Sequence, residues 1–544
     1  MELKHIPEVK RARKFEASDA GRIIIALLFI IGVMWYASMH ASGIEHRTLL
    51  IVAAIFGGYM AMNIGANDVA NNVGPAVGSG ALSLMGAIII AAIFEAAGAL
   101  IAGADVVGTI RKGIIDPNLI ANTQMFIWIM LAALLAGAIW LNLATAMGAP
   151  VSTTHSIVGG VMGGGIAAAG FGMVNWVTMG KIAASWVISP VLGGLIAAGF
   201  LYIIKKNVIF QEDKIAAAKK WVPLYIATMS WAFASYLIVK GFKHIVKVPL
   251  PLAVVIGFFI AVPIFMFVRS YITKKAQTLP NERESINQLF TIPLIFSAAL
   301  LSFAHGANDV ANAVGPLAGI NDAIMSGEFG KKAPIPLWVM MVGALGISIG
   351  LALYGPKLIK KVGSEITELD QIRAFCIALA AAITVIVASA LGLPVSSTHI
   401  AVGGVFGVGF LREYLMRLED RAKKEEKVLE KEFQEARLEE ERKKLEEYER
   451  ALEALGDPKK ADPFIVKALI EKINREKEVI ASLEHGEIKL TKIEKKAIKA
   501  LKKYELVQRS ALKMIVAAWI ITVPAAGVLA AMFYFMIRGI MLPG

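Results

Sequence analysis

A single cysteine, Cys376, stands in 544 residues, which excludes a disulfide framework and any CxxC-type metal or redox site. A lone thiol in an apolar stretch reads as a buried helix residue. Charge is scarce as well, except in one block. Residues 411–510 hold 26 of the 56 Lys and Arg and 24 of the 43 Asp and Glu, leaving 30 basic and 19 acidic residues to the other 444. With 56% hydrophobic residues and a mean hydropathy of +0.62, that remainder is too apolar for a water-soluble domain and belongs in lipid. The net charge of +13 does not mark a nucleic-acid binder, because the charged block is nearly balanced and the excess Lys and Arg flank apolar stretches, where they set membrane topology.

A membrane-spanning helix needs about 20 mostly apolar residues. Stretches near 22–39, 48–64, 81–103, 123–147, 174–204, 221–240, 248–268, 289–305, 335–355, 372–393 and 511–538 qualify, and glycine-rich stretches at 151–172 and 395–410 read as broken helices. The expected fold is an all-α polytopic membrane protein of about twelve membrane helices, some interrupted, plus a soluble helical insert. The first span follows a basic tail with Lys4, Lys10, Arg11, Arg13, Lys14 and Arg22 and reads as a retained signal anchor with a cytoplasmic N-terminus. Loops 205–220 and 269–287 are lysine- and arginine-rich and face the cytoplasm by the positive-inside rule. Loop 39–47, with only Arg47, faces out.

Two motifs occur twice. Gly65-Ala66-Asn67-Asp68-Val69-Ala70-Asn71-Asn72-Val73-Gly74-Pro75 returns as Gly306-Ala307-Asn308-Asp309-Val310-Ala311-Asn312-Ala313-Val314-Gly315-Pro316, with ten of eleven positions identical. Pro150-Val151-Ser152-Thr153-Thr154-His155 returns as Pro394-Val395-Ser396-Ser397-Thr398-His399. The two motifs start 85 residues apart in one copy and 88 in the other, so a whole unit is duplicated. The span before Asp68 starts from an outward loop and the span before Asp309 from a cytoplasmic one. That is the inverted-repeat plan of secondary transporters, whose substrate lies where Gly/Pro-broken helices of both halves meet.

Each motif has its own chemistry. Asn, Ser and Thr are ordinary glue between membrane helices, but Asp68 and Asp309 are carboxylates at membrane depth, a costly placement kept chiefly for function. With no Lys or Arg inside either motif, they call for an external cation. The surrounding oxygen donors suit Na+ or protons. In the second motif Pro150 and Pro394 open a helix and Ser152 and Ser396 cap it, so the next backbone N–H groups and hydroxyls form an anion site. Two such helix starts clasp a tetrahedral oxyanion from both sides, with bound Na+ supplying the balancing charge. His155 and His399 read as hydrogen-bonded to nearby carbonyls in preference to anion donors. Glu95, without an obvious counterpart in the second copy, is either a sodium or gating residue or a helix–helix hydrogen bond. Arg111 and Lys112 read as a span-end anchor.

These motifs, with Thr109-Ile110-Arg111-Lys112-Gly113, resemble the inorganic phosphate transporter family of sodium- or proton-coupled phosphate permeases, over residues 48 to 410. The resemblance implies phosphate as substrate, an inverted-repeat fold, and an alternating-access cycle. It implies sodium at Asp68 and Asp309, with Asn67, Asn308, Ser152, Ser396 and Glu95 in the sodium set. Thr109, Thr153, Thr154, Ser397 and Thr398 form the phosphate set. The chain departs from the family in its extra span at 22–39, in the lack of a large loop between the repeats, and in its C-terminal charged block.

The expected organisation is a basic tail and extra helix at 1–45, repeat 1 at 46–204, a linker with two spans at 205–288 and repeat 2 at 289–410. The charged soluble domain at 411–510 and a last span at 511–544 follow. Narrow apolar stripes through 411–455, 464–482 and 487–508, interrupted at Gly456-Asp457-Pro458, predict a helical hairpin or small bundle with a solvated surface. Dimerisation and regulation are both open to it. The expected protein is no enzyme and needs no cofactor beyond sodium as coupling ion. It lies in the cell inner membrane, with N-terminus and insert cytoplasmic, and imports inorganic phosphate by sodium symport. Its partners are the lipid bilayer, phosphate and sodium, with a homodimer as one form. Proton-coupled phosphate or sulfate permeation, an anion channel and a membrane phosphatase are the competing readings.

Overall fold

The structure, a computed structural model, describes residues 17–44, 46–147, 151–241, 248–327, 334–365, 369–456, 462–484 and 509–541. The tail at 4–14, Pro150, Asp457, Pro458 and the stretch at 487–508 lie outside them. The described chain is nearly all helical and contains eleven helices long and apolar enough to cross a membrane. It divides into two compact units, Met1–Gly409 with Val507–Gly544, and Phe410–Leu506.

In the first unit, α1 (Ala17–His40) and α2 (Arg47–Gly78) precede α3 (Leu84–Ala102), whose Ser83 cap accepts from Gly86 N, and the short α4 (Ala104–Lys112). Helices α5 (Thr123–Met147), α6 (Thr153–Ala169) and α7 (Trp176–Ile204) complete the first copy. After α8 (Lys214–Gly241) and α9 (Leu250–Lys275) comes the short α10 (Arg283–Leu289), then α11 (Thr291–Ser326), α12 (Leu337–Glu365) and α13 (Gln371–Ala390). Helix α14 (Ser397–Glu453) continues into the second unit, followed by α15 (Pro463–Glu484) there and α16 (Arg509–Met541) in the first.

The motif helices do not break as expected. α2 runs uninterrupted through Gly65–Pro75, and α11 through Gly306–Pro316. A proline removes one N–H from a helix, and in a membrane helix packed on all sides that loss is tolerated without unwinding. The carbonyls four residues earlier, those of Asn71 and Asn312, are the ones it frees. Interruption is confined to the second motif: α6 starts at Thr153 and α14 at Ser397, each after a short non-helical stretch.

Glycine decides how closely the helices approach. A Cβ on Gly65 of α2 would fall 2.0 Å from the Ile347 carbonyl oxygen of α12, and one on Gly306 of α11 would fall 2.1 Å from the Glu95 carbonyl oxygen of α3. Small residues at such crossings let membrane helices pack backbone to backbone. Each first-motif helix therefore rests on the helix that follows that motif in the other copy. The second-motif helices repeat the exchange. Gly163 of α6 sits against Gly527 of α16, and Gly407 of α14 against Gly194 of α7.

In the second unit, α15 lies along the end of α14. Lys477 Nζ is 2.9 Å from Glu449, and Lys472 Nζ lies 5.2 Å from the Tyr448 ring centroid. Lys444 is held by Glu440 and Glu441, hydrogen bonds that raise its ammonium pKa. Gly456, with φ of 69°, ends the first of these helices.

Gly306→Ala should destabilise the protein by about 1–3 kcal/mol, because the α3 backbone must retreat. Gly74→Ala, at a motif glycine whose Cβ would meet nothing within 4 Å, should be neutral. Thermal unfolding of the two variants in detergent measures the contrast, and equal losses would refute the close-approach account.

Candidate functional site

The two aspartates of the first motif, 241 positions apart in sequence, come together at the end of α6. Thr153 Oγ1 lies 3.0 Å from Asp68 Oδ2 and 2.9 Å from Asp309 Oδ2, and it accepts a hydrogen bond from Asn312 Nδ2 at 3.2 Å. One hydroxyl carries one hydrogen, so it donates to only one of the two carboxylates. The other carboxylate oxygen then meets the hydroxyl oxygen lone pair to lone pair and needs a different donor or a cation. Thr398 Oγ1 of α14 donates to Asp68 Oδ1 at 2.9 Å and accepts from Asn71 Nδ2 at 2.9 Å. All of these side chains are buried.

A histidine closes the cluster. His305, on α11 one turn before Asp309, places Nε2 3.2 Å from Asp309 and 3.5 Å from Asp68, and Nδ1 3.2 Å from Glu95. The carboxylate oxygens of Asp68 and Asp309 and a ring nitrogen of His305 all lie within 4.8 Å of one another, a set able to hold a metal ion. One sequence expectation is corrected by this histidine. The aspartates are not without a basic neighbour, because the group lies just outside the motif. Glu95 meets the second copy through that ring, and its other oxygen accepts from Asn72 Nδ2 at 2.8 Å. The legible signal was the four-residue step from His305 to Asp309, which puts both on one helix face. The first copy has Ile64 at that place.

Asn67 and Asn308 do matching work one layer out. Asn67 donates to Thr145 Oγ1 at 2.9 Å and accepts from Val151 N at 3.4 Å. Asn308 donates to Ser389 Oγ at 2.8 Å and accepts from Val395 N at 3.3 Å. Each fastens the approach to a second-motif helix. Ser152 and Ser396 cap those helices through His155 N at 3.1 Å and His399 N at 3.3 Å. The caps take the third backbone N–H of each first turn, and the earlier ones have no intrahelical partner. Thr154 Oγ1 donates to Val395 O at 2.9 Å, which ties the start of α6 to that of α14. Ser397 Oγ is buried without a hydrogen-bond partner among the described residues, as are Asp309 Oδ1 and Asn312 Oδ1. The hydroxyl can donate and the two oxygens can accept, so α14's first turn and the α11 motif present unsatisfied buried groups of both kinds.

The remaining residues fall elsewhere. The sodium and phosphate sets expected from sequence interleave, since Thr153 and Thr398 hold the aspartates. Thr109, on α4, is outside the cluster. It donates to Gly392 O at 2.6 Å and lines a separate cavity of about 830 Å3 with Asp105, Lys181 and Leu393. Arg111 is no surface anchor: it is buried and paired with Asp322 at 2.6 Å. The His155 and His399 rings pack edge to face at 4.6 Å, with Trp186 against His155 at 3.8 Å. They brace the two helix starts against each other.

A multi-pass bundle with a buried carboxylate cluster at two converging helix starts defines a membrane transport protein. Its family follows from comparison with known proteins: the chain belongs to the phosphate transporter family, whose model matches residues 64–530. A protein of Helicobacter pylori (strain J99) named "putative phosphate permease" is 51% identical over 539 residues, 98% of each chain. Another so named from Pyrococcus abyssi is 40% identical over 365 residues, 67% of this chain and 89% of its own. A solved structure described as the sodium-dependent phosphate transporter superposes with a TM-score of 0.71 at 31% identity, covering 91% of this chain and all of that one. The family transports and does not catalyse, which removes the phosphatase reading.

Removing either His305 or Glu95 leaves the other buried beside an altered charge, so their effects should not add. A double-mutant cycle of His305→Gln and Glu95→Gln, read by thermal stability, should return a coupling of about 1–3 kcal/mol. Additive losses would mean that the contact contributes nothing.

Proposed function

We propose that the chain imports inorganic phosphate by symport with sodium, through alternating access across two inverted repeats in the cell inner membrane. The observation that carries this reading is the pair of aspartates sharing the Thr153 hydroxyl beside two capped helix starts. A cation between Asp68 and Asp309 satisfies the oxygen that the hydroxyl cannot. The free N–H groups at α6 and α14, with Ser397, receive the oxyanion. Two aspartates and a phosphate monoanion carry three negative charges, so at least two sodium ions per phosphate keep burial tolerable. Sodium dependence in the solved relative supports the choice of ion. The exchange of helices between copies supports the repeat plan, since each copy completes the other's packing. Asn67, Asn308, Ser152 and Ser396 hold the site's shape, and the N-terminus and the 411–510 domain lie in the cytoplasm.

Proton coupling is the second reading, and His305 is the observation that favours it, because one titratable ring touches all three carboxylates.

In proteoliposomes, labelled phosphate should accumulate against its gradient only when sodium is driven inward. Equal accumulation under a proton gradient without sodium would overturn the ion assignment, and flux without accumulation would indicate a channel. Asp68→Asn and Asp309→Asn should cut sodium-driven uptake at least tenfold more than Ser397→Ala cuts it, on the scale of a lost buried charge. Unlabelled arsenate should compete with phosphate and sulfate should not.

A further inference from the structure

A second cavity, of about 500 Å3, shares no lining residue with the carboxylate cluster and lies between α7, α8, α11 and α13. Its floor is the buried Leu300, Phe375 and Leu379, and its rim the exposed Ile203, Leu224 and Val387. The cavity is thus a groove open to the side of the bundle, where the bilayer stands. Phe375 and Val387 are twelve residues apart on α13, and so are Leu224 and Tyr236 on α8. At about 1.5 Å per residue the groove is about 18 Å long. The hydrocarbon of one leaflet is about 15 Å deep, half of a bilayer core. An acyl chain lying along the groove fits that length.

The chain just past one end of the groove is rich in lysine, with Lys205 Nζ 5.8 Å from the Phe210 ring centroid. Ile204, in its wall, is followed directly by Lys205 and Lys206, and Tyr225 accepts a hydrogen bond from Asn207 Nδ2 at 3.2 Å. The segment 205–220 carries five lysines, Lys205, Lys206, Lys214, Lys219 and Lys220, against Glu212 and Asp213. Asp213 is already engaged as a cap on Ala216 N at 2.8 Å. A groove of one leaflet's depth that ends at a lysine cluster matches a lipid with an anionic head, because basic pockets between membrane helices attract such headgroups. We propose that this groove is a binding site for one anionic glycerophospholipid, its acyl chain along α8 and α13 and its phosphate at Lys205 and Lys206. The apolar floor needs a chain against it, since an unfilled groove forfeits its dispersion contacts. The site stands whichever ion drives transport.

Native mass spectrometry of the purified full chain, titrated with phosphatidylglycerol or with phosphatidylcholine of the same acyl chains, tests this. One phosphatidylglycerol should be retained per chain, about tenfold more tightly than phosphatidylcholine. Ala232→Trp, which places an indole over the groove, should abolish retention, whereas Val255→Trp on the exposed face of α9 should not. The pair Lys205→Gln and Lys206→Gln should erase the headgroup preference and leave acyl-chain retention intact, which decides the matter even where Ala232→Trp fails to fold. Equal affinity for the two lipids, retention unaffected by Ala232→Trp, or loss with Val255→Trp would overturn the site.

Discussion

Two carboxylates facing one hydroxyl at the centre of a membrane protein set the terms for everything around them. Asp68 and Asp309 cannot both be satisfied by Thr153, and neither can remain charged and unaccompanied in a low-dielectric interior. The amides of Asn71 and Asn312, the ring of His305 and the starts of α6 and α14 are arranged about that shortage. So are the glycines. Gly65 and Gly306, three residues before the aspartates, let α2 and α11 meet α12 and α3 at backbone distance.

The site is accordingly a product of duplication that stopped short of symmetry. Asn67 and Asn308 make the same pair of bonds, to Thr145 and Val151 in one copy and to Ser389 and Val395 in the other. His305 and Glu95 have no such twins. One comes from each copy, and the ring of one meets the carboxylate of the other. Symmetric scaffolding thus carries an asymmetric pairing of ring and carboxylate, which gives the two aspartates unequal surroundings although their motifs are nearly identical. Asp68 receives Thr398, whereas one oxygen of Asp309 is left without a partner among the described residues.

Much of this was legible in the sequence. The apolar stretches correspond to the eleven long helices, and the duplicated motifs name Asp68, Asp309 and the capped starts at Ser152 and Ser396. What misled was reading glycine and proline as breaks. Pro75 and Pro316 sit inside continuous helices because packing from neighbours outweighs one lost hydrogen bond, and that packing is not visible in a local pattern. His305 was hidden by a motif boundary drawn one residue too late. Arg111 was hidden by its place beside a span end, where an anchor and a buried partner of Asp322 look the same.

The exchange of helices between the copies also bears on how the chain is made. The glycine face of α6 is covered by α16, and Gly163 precedes Gly527 by 364 residues. At typical rates of synthesis, roughly 5–20 residues per second, that face waits roughly 20–70 s for its cover. The first copy therefore cannot finish folding on its own. It must be inserted early and held in the bilayer half-assembled, until the charged block has passed and the last helix arrives.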